Sequence, residues 1–225
     1  MAVLSPPTQN TINIDPGYLR TKRILDIVFT LLILLPLSIV VAILAVLIRI
    51  DSKGPIFFRQ KRVGLNGVEF DMFKFRSMYV NTDDSTHREA IKQYMNGETL
   101  NGKIDTENLY KLVDDPRVTR IGRFIRKTSI DELPQFINVL RGEMTLVGPR
   151  PPLPYEVEEY NLNDLTRLCG KPGLTGNWQV YGRSRVPFRE MVEMDIEYLK
   201  QQSTWQDLKF IALTLPVMLK GRGGA

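Results

Sequence analysis

The stretch from Ile27 to Ile48 contains no charged side chain, and it constrains the fold more than any other part of the sequence. As a straight helix it would be roughly 33 Å long, which is enough to cross a bilayer. Pro36 lies near its middle, where it removes one backbone hydrogen bond, frees the carbonyl of Leu32 and costs about 3 kcal/mol in a helix interior. Ser38 offers a hydroxyl that can bond a freed carbonyl, so we predict a helix broken at Pro36.

Basic residues flank this apolar stretch on both sides. They are Arg20, Lys22 and Arg23 before it, and Arg49, Lys53, Arg59, Lys61 and Arg62 after it. Because Lys and Arg are enriched on the cytoplasmic side of membranes, the double flank favours a helix that enters and leaves through that face. Hydropathy alone also allows a kinked helix that spans the bilayer, so both topologies remain open at this point.

The sequence outside the apolar stretch divides into segments of different composition. We predict a flexible polar tail at 1–19, a membrane helix hairpin at 20–52, a domain at 53–220 and a short tail at 221–225. Within the domain, residues 80–116 form a polar excursion that contains a short helix. Residues 204–219 form an amphipathic helix whose apolar face includes Trp205 and Leu208, and this face packs on the core or lies on a membrane surface.

The composition excludes two kinds of site. A single cysteine, Cys169, cannot form an internal disulfide, and a single histidine, His87, leaves too few ligands for a Cys/His zinc site. A bound metal would therefore be a hard ion held by oxygen atoms. Thirty Lys and Arg against 25 Asp and Glu give a formal charge of +5, which suits nucleic acid, membrane surfaces or phosphorylated ligands. Nucleic acid is the weakest of these, because aromatic residues are not interleaved with the basic runs.

Several basic residues follow the apolar stretch in regular patterns. The sequence around "GLNG" predicts two short strands joined by a turn, with Phe70 and Met72 near the core and with Lys74 and Arg76 on one face of the second strand. A helix that starts after Thr119 carries three further arginines, of which the last is Arg126, and the simplest interpretation is a solvated helical face.

Two adjacent carboxylates, Asp131 and Glu132, belong to the sequence "SIDELPQ". The residues from Ser129 to Glu132 match a capping box, so we predict a helix that starts there or at Asp131 and places both carboxylates at its positive end. Neighbouring residues on a helix point about 100° apart, so this pair cannot flank a glycosidic bond as glycosidase carboxylates do. An ionised Asp131 near Arg126 suits nucleophilic attack on a phosphoryl group, and its neighbour suits Mg²⁺. Simple helix capping remains the alternative.

Two later loops present further polar residues. The prolines of "LVGPRPPLP" fix an irregular loop around Arg150. The glycines of "KPGLTGNWQVYGRS" predict a turn, a strand and a second turn, which present Gln179 and Arg183.

Four stretches in a fixed order resemble the bacterial sugar transferases, the monotopic phosphoglycosyl transferases that begin exopolysaccharide, capsule, O-antigen and glycoprotein glycan assembly. They are the apolar stretch with its basic flanks, "FDMFKFRSM", "DPRVTRIGRFIRKTSIDELPQFINVLRGEMTLVGPRP" and "KPGLTGNWQVYGRS". The resemblance implies an α+β fold with a re-entrant N-terminal helix broken at Pro36 and Ser38, interfacial amphipathic helices and a small cytosolic catalytic domain. It places the protein on the cytoplasmic face of the bacterial inner membrane.

The resemblance also implies a reaction and a set of site residues. A sugar 1-phosphate passes from a UDP-sugar to undecaprenyl phosphate by a ping-pong route, with Asp131 as the nucleophile and Glu132 as the Mg²⁺ ligand. The implied substrate-binding residues are Lys74, Arg76, Arg126, Arg150, Gln179 and Arg183. The expected partners are the two substrates and membrane lipids, without nucleic acid, and a homodimer is left open.

Two other functions compete with this interpretation. A membrane-tethered binding module would use the arginines to hold anionic lipid or nucleic acid, and it would release no UMP from any UDP-sugar. A one-step transferase would use Asp131 or Glu132 as a base on an acceptor hydroxyl, whereas a phosphate acceptor needs no such base.

Overall fold

The computed structural model of this chain describes residues 12, 14–80, 85–95, 104–105, 108–112, 115–182 and 186–219, with the backbone alone at 85–87, 90, 104–105, 108–112 and 215–219. The helices of this part are α1 (Pro16–Asp51), α2 (Ser85–Met95), α3 (Arg120–Lys127), α4 (Gln135–Arg141), α5 (Pro154–Val157), α6 (Asn177–Tyr181), α7 (Phe188–Gln201) and α8 (Thr204–Leu219). The strands are β1 (Phe57–Val63), β2 (Glu69–Phe75), β3 (Ile104–Asp105), β4 (Asn108–Leu112), β5 (Thr145–Val147) and β6 (Gly173–Thr175). The strands pair two by two, antiparallel in β1–β2 and β3–β4 and parallel in β5–β6. The mixture of helix and sheet agrees with the predicted class.

Helix α1 carries the whole apolar stretch. It begins at Pro16, earlier than the predicted boundary at residue 20, because Asp15 caps it by accepting hydrogen bonds from the backbone N–H groups of Gly17 (3.2 Å) and Tyr18 (3.0 Å). The helix continues through Pro36, so the predicted break is not an interruption of the helix. The Ser38 hydroxyl donates to the carbonyl of Leu35 (2.7 Å) and not to the carbonyl that Pro36 frees. Within the described residues, α1 is the one helix long and apolar enough to cross a membrane.

The two ends of α1 pack against the rest of the protein, and its middle does not. Its buried side chains are Tyr18, Lys22, Asp26 and Thr30 near the start, and Leu44 and Ile48 near the end. The first four recur at every fourth position and therefore share one helix face. Between the two groups, Leu35 and Ile39 are each 70% exposed. An apolar surface of this kind is stable when lipid, and not water, covers it.

A buried polar network holds the first end of α1. The Lys22 ammonium group donates to Asp207 Oδ2 (2.6 Å) on α8 and to the carbonyl of Val147 (2.8 Å) on β5. The hydroxyls of Tyr18 (2.9 Å) and Tyr198 (2.6 Å) also donate to the Asp207 carboxylate. A buried ion pair is tolerated only where further hydrogen bonds complete it, so this network fixes α1 against β5, α7 and α8.

A second set of bonds holds the other end of α1. Arg76, just after β2, donates from Nη2 to the carbonyls of Ile48 (3.2 Å) and Ser52 (2.6 Å) and to Ser52 Oγ (2.9 Å). The Asp51 carboxylate accepts a bond from the backbone N–H of Ile121 (3.0 Å) in the first turn of α3. The end of α1 thus connects β2 with α3.

The two predicted strands around "GLNG" are confirmed, and they form a β-hairpin. Strands β1 and β2 pair from Phe57 opposite Phe75 to Val63 opposite Glu69. The turn between them contains Asn66 with φ +57°, a left-handed conformation that asparagine adopts more readily than most residues. Phe70 and Met72 are buried, as predicted, and Phe73 on the opposite face of the strand is buried as well.

Asn138 joins α4 to the edge of β2. Its side chain is fully buried, and its Oδ1 accepts a bond from the backbone N–H of Phe73 (3.0 Å). Its Nδ2 donates to the carbonyl of Asp71 (2.7 Å) and to Glu143 Oε2 (2.7 Å). The side-chain amide pairs with the backbone of β2 as a neighbouring strand would, so it fixes the position of β2 relative to α4.

Two other helices lie at their predicted positions. Helix α2 occupies the predicted position within 80–116, and α8 occupies 204–219. Trp205, on the predicted apolar face of α8, is 78% exposed, which agrees with the alternative of a membrane surface. Among the α8 side chains that the structure describes, Asp207 and Phe210 are buried. Asp207 turns inward because Lys22 neutralises it there.

Replacing Asn138 with Leu should destabilise the protein. The substitution leaves the N–H of Phe73 and the carbonyl of Asp71 buried without their partner, at a cost of about 2 kcal/mol or more. Thermal unfolding in detergent should show a lower midpoint, whereas Asn163→Leu, at an exposed site, should unfold like the parent protein. Equal midpoints for both variants would contradict this role.

Candidate active site

The two adjacent carboxylates lie in a tight turn before α4. Ser129 has a left-handed backbone (φ +56°) and makes no capping bond with its side chain, and a 3₁₀ turn follows from Ile130 to Glu132. Helix α4 begins only at Gln135, after Pro134. The predicted capping box is therefore wrong, because the serine backbone has the wrong conformation for an N-cap. Asp131 and Glu132 are held by the turn and not by a helix terminus.

Asp131 is buried next to Arg126. The residue as a whole is only 6% exposed. Burial lowers the pKa of the Arg126 guanidinium, and the nearby carboxylates of Asp131 and Asp115 act in the opposite direction. Arginine keeps its charge in proteins, so Arg126 supplies a fixed positive charge beside the Asp131 carboxylate. The predicted proximity of Arg126 and Asp131 is confirmed.

Glu132 pairs with a cation from the hairpin. Its Oε1 lies 3.3 Å from the ammonium nitrogen of Lys74 on β2, and both side chains are partly exposed. Two residues that the sequence placed in one site are thus in contact. A carboxylate beside a cation, open to one side, is suited to hold a ligand that carries both phosphate and a metal ion.

Asp115 is a site residue that the sequence analysis missed. It accepts bonds from the backbone N–H of Arg117 (3.0 Å) and from its Nε (2.8 Å) and Nη2 (2.7 Å). These bonds lower the pKa of the Asp115 carboxyl, while burial opposes the shift. Arg126 therefore interacts electrostatically with two carboxylates, Asp131 and Asp115. The signal was present in the motif "DPR", in which an aspartate before a proline favours such a turn.

Helix α3 is confirmed as predicted and is placed by contacts at its first turn. Thr119 caps it by accepting a bond from the N–H of Gly122 (3.0 Å). A Cβ atom at position 122 would lie 2.0 Å from the carbonyl oxygen of Ser77, so only glycine allows this approach to the end of β2. Arg120 and Arg123 are exposed, whereas Arg126 faces the carboxylates.

Arg76 occupies a different place from Lys74. Its guanidinium lies at the end of α1, where it donates hydrogen bonds to Ile48 and Ser52. A Cβ atom at Gly54 would collide with this guanidinium. Pro36 and Ser38 lie in the exposed middle of α1. The structure therefore brings together Lys74, Arg126, Asp131 and Glu132, and it uses Arg76 to hold α1.

Two of the remaining predicted residues, Arg150 and Gln179, follow strands β5 and β6 in the chain. The backbone N–H of Arg150 donates to Asp195, which is fully buried and pairs with Arg167 (2.6 Å). Burial raises the pKa of the Asp195 carboxyl to about 6, and Arg167 opposes that shift. The predicted strand of this stretch is β6, and Gln179 lies after it on the short helix α6, which the sequence did not predict. A Cβ atom built on Gly176 would lie 2.7 Å from Gln179 Oε1. Arg183 lies outside the described residues.

The described side chains of this site supply only part of the ligand set that a magnesium ion requires. No group of three or more His, Cys, Asp or Glu side chains that could hold a metal occurs in the described parts of the chain. Glu132 offers one partly exposed carboxylate. Mg²⁺ is commonly bound by one or two carboxylates together with substrate phosphates, so Glu132 is a suitable ligand once a phosphorylated substrate is present.

Comparison with known proteins identifies the class. The profile of the bacterial sugar transferase family matches residues 17–221, so the chain belongs to that family. The match includes both ends of α1, the hairpin and the turn that carries the two carboxylates.

Individual relatives agree with this assignment. The galactosyl transferase CpsE of Streptococcus agalactiae is 47% identical over 208 residues, which are 92% of this chain and 44% of that protein. The undecaprenyl-phosphate galactose phosphotransferase of Salmonella typhimurium is 40% identical, over 90% of this chain and 41% of that protein. The exopolysaccharide production protein ExoY of Sinorhizobium fredii is 36% identical, over 90% of this chain and 87% of that protein. The chain spans less than half the length of the first two relatives.

Replacing Gly122 with Ala should displace α3 from the end of β2. The new methyl group would collide with the Ser77 backbone, and such overpacking costs about 1–3 kcal/mol. Thermal unfolding should show the loss of stability, while Arg123→Ala on the exposed face of the same helix should leave the midpoint unchanged. A Gly122→Ala variant as stable as the parent would mean that the close contact is not required.

Proposed function

We propose that this protein transfers a sugar 1-phosphate from a UDP-sugar to undecaprenyl phosphate and releases UMP. The observation that carries the proposal is the pairing of two adjacent carboxylates with two cations, Asp131 beside Arg126 and Glu132 bonded to Lys74. The printed names of relatives support it, among them the undecaprenyl-phosphate galactose phosphotransferase of Salmonella typhimurium. Such a reaction would be the first membrane step in the assembly of a polysaccharide or glycoconjugate.

The reaction proceeds in two displacements at phosphorus. In the first, a carboxylate oxygen of Asp131 attacks the β-phosphorus of the UDP-sugar, the bond to the bridging oxygen breaks, and UMP leaves with that oxygen and its electron pair. The product is an acyl phosphate between Asp131 and the sugar phosphate. In the second, a phosphate oxygen of undecaprenyl phosphate attacks the same phosphorus, and the Asp131 carboxylate leaves. Neither step requires a general base, since both nucleophiles are anions.

The surrounding groups lower the cost of charge on the transferring phosphoryl group. Arg126 and Lys74 provide fixed positive charge on two sides of the carboxylate turn, which stabilises anionic oxygens in a partly buried site. By the family resemblance, Arg150 and Arg183 would bind the phosphates of the donor, and Gln179 would contact the substrate. Glu132 would hold Mg²⁺, and that ion, when bound, would neutralise part of the diphosphate charge.

Attachment of α1 to the membrane would bring the carboxylate turn close to an acceptor that is itself a membrane lipid. Both ends of α1 pack on one domain, through Lys22 and Asp207 at the start and through Arg76 and Asp51 at the end. A helix that crosses the bilayer leaves its two ends on opposite sides, roughly 30 Å apart. The shared packing therefore favours a re-entrant α1 whose ends lie on the cytoplasmic face of the bacterial inner membrane.

Asp131→Asn should abolish the covalent intermediate. With UDP-sugar and no lipid acceptor, the parent enzyme should release UMP in a stoichiometric burst and retain the phosphosugar on the peptide that contains "TSIDELPQ". The asparagine amide lacks the anionic oxygen, so both burst and adduct should disappear. Mass spectrometry before and after treatment with hydroxylamine, which cleaves acyl phosphates, measures the adduct.

The matched control for this experiment is Asp164→Asn, because Asp164 is also a buried aspartate but pairs with Arg189 away from the carboxylate turn. It should retain the burst. An adduct on another residue, or a burst that persists in Asp131→Asn, would contradict the assignment of the nucleophile.

Lys74→Met should lower turnover by a factor on the order of 10² while the protein still folds. The substitution keeps the length of the side chain but removes the charge that faces Glu132 and the transferring group, a loss of about 2–4 kcal/mol in transition-state stabilisation. Lys61→Met is the control on the adjacent strand, since Lys61 forms only an exposed ion pair with Asp71. Steady-state UMP release should be near normal in the control, and equal losses in both variants would refute the specific role of Lys74.

A further inference from the structure

A second cationic site lies at the end of α4 that is opposite to the carboxylates. Arg23 on α1 donates from Nη1 to the carbonyl of Val139 (2.6 Å) and from Nη2 to that of Leu140 (2.7 Å), both in the last turn of α4. A Cβ atom built on Gly142, which ends α4, would lie 3.7 Å from Arg23 Nη2 and 3.9 Å from the ammonium nitrogen of Lys171. The two cations thus converge over Gly142. Helix α4 has 7 residues, so about 10 Å of helix separates this cluster from the turn that carries Asp131.

Within the described part of the chain, neither Arg23 nor Lys171 forms an ion pair with a carboxylate. Burial lowers the pKa of Lys171, and the neighbouring Arg23 acts in the same direction. The nearby carboxylate is Asp26, and its two oxygens already accept bonds from the Thr145 hydroxyl (2.9 and 2.8 Å) and from the N–H of Leu146 (2.9 Å). Arg23 contacts neutral carbonyls, Lys171 lies on the same side of Gly142, and both side chains are partly buried, so the pair favours the binding of an anion.

The surface next to the cluster is apolar and follows the axis of α1. Positions 23, 27 and 31 share one helix face, since they are four residues apart. Ile27 is partly exposed and Leu31 is 43% exposed, and both lie inside the apolar stretch. The adjoining Ile24 and Val28 are also exposed. One face therefore offers positive charge at the membrane boundary and an apolar strip directly beyond it.

We propose that Arg23 and Lys171 bind the phosphate of an anionic phospholipid, whose acyl chain lies along Ile27 and Leu31. A phosphodiester headgroup supplies the acceptor oxygens that the two cations require, and the guanidinium group can bind it at short distance. The acyl chain covers apolar surface that water would otherwise contact. This lipid is a bound component and not a substrate, because its site is separated from Asp131 by the length of α4. The proposal is independent of the transfer reaction.

The test measures lipid binding and requires no turnover. The full chain, purified in detergent, is titrated with a phosphatidylglycerol and with the phosphatidylcholine that carries the same acyl chains, and native mass spectrometry counts the bound lipids. The parent protein should bind phosphatidylglycerol about tenfold more tightly, since a hydrogen bond to a charged group contributes about 1.5–3 kcal/mol. Lys171→Gln, and the double variant Arg23→Gln with Lys171→Gln, should lose this preference.

A charge-matched control separates a specific site from general attraction. The double variant Arg20→Gln with Lys53→Gln removes two exposed cations from the same flanks of α1 and should retain the preference. Equal losses in the two double variants would overturn the proposal, because they would show that lipid preference depends on the total positive charge near the membrane and not on one site. Because Arg23→Gln also removes the cap of α4, Lys171→Gln alone provides the decisive comparison if the double variant fails to fold.

Competition identifies the source of the phosphate. Inorganic phosphate at millimolar concentration should not displace phosphatidylglycerol, since it lacks the acyl chain. Undecaprenyl phosphate in equimolar amount should also leave the bound phosphatidylglycerol in place. Displacement by inorganic phosphate would make the cluster a free-phosphate site, and displacement by undecaprenyl phosphate would make it part of the acceptor site; either result overturns the proposal.

Discussion

The attachment of both ends of α1 to one domain is the constraint on which the rest of the structure depends. At the start of the helix, Lys22 and Asp207 form a buried ion pair that three elements complete with hydrogen bonds. At the other end, Arg76 holds the last carbonyls of α1 and Asp51 caps α3. The apolar middle of α1 remains exposed between these two points. A helix that is long and apolar enough to cross a membrane is thereby joined to a polar domain as one unit.

This attachment also helps to position the four residues of the proposed catalytic site. Arg76 lies two residues after Lys74, so its bonds to α1 place the end of β2 against the membrane helix. Asp51 orients the first turn of α3, which carries Arg126 at its far end. Asn138 fixes β2 against α4, the helix that follows the carboxylate turn. Lys74, Arg126, Asp131 and Glu132 therefore meet because the elements that carry them are all fixed at the end of α1 or next to it.

Patterns of neighbouring residues in the sequence predicted the secondary-structure elements whose conformation depends on those neighbours. The alternation around Phe70 and Met72 predicted the hairpin, and Thr119 predicted the start of α3. The family motifs brought Lys74, Arg126, Asp131 and Glu132 into one site, and the structure places these four together. Three features depended on distant partners or on backbone conformation and could not be derived in this way. Ser129 adopts a left-handed conformation, Arg76 serves α1, and Asp207 is buried because Lys22 lies against it.

The most direct test of this account is the side of the membrane on which the two ends of α1 lie. In a Cys169→Ser background, single cysteines at the exposed positions Leu19 and Lys53 are treated with a maleimide that does not cross membranes, with Trp205→Cys on the domain as the reference. If both ends of α1 lie on the cytoplasmic face, all three cysteines should be labelled in inverted vesicles, where that face is outside. None should be labelled in intact spheroplasts. Labelling of position 19 in spheroplasts, with position 53 protected there, would show that α1 spans the bilayer and would contradict the account.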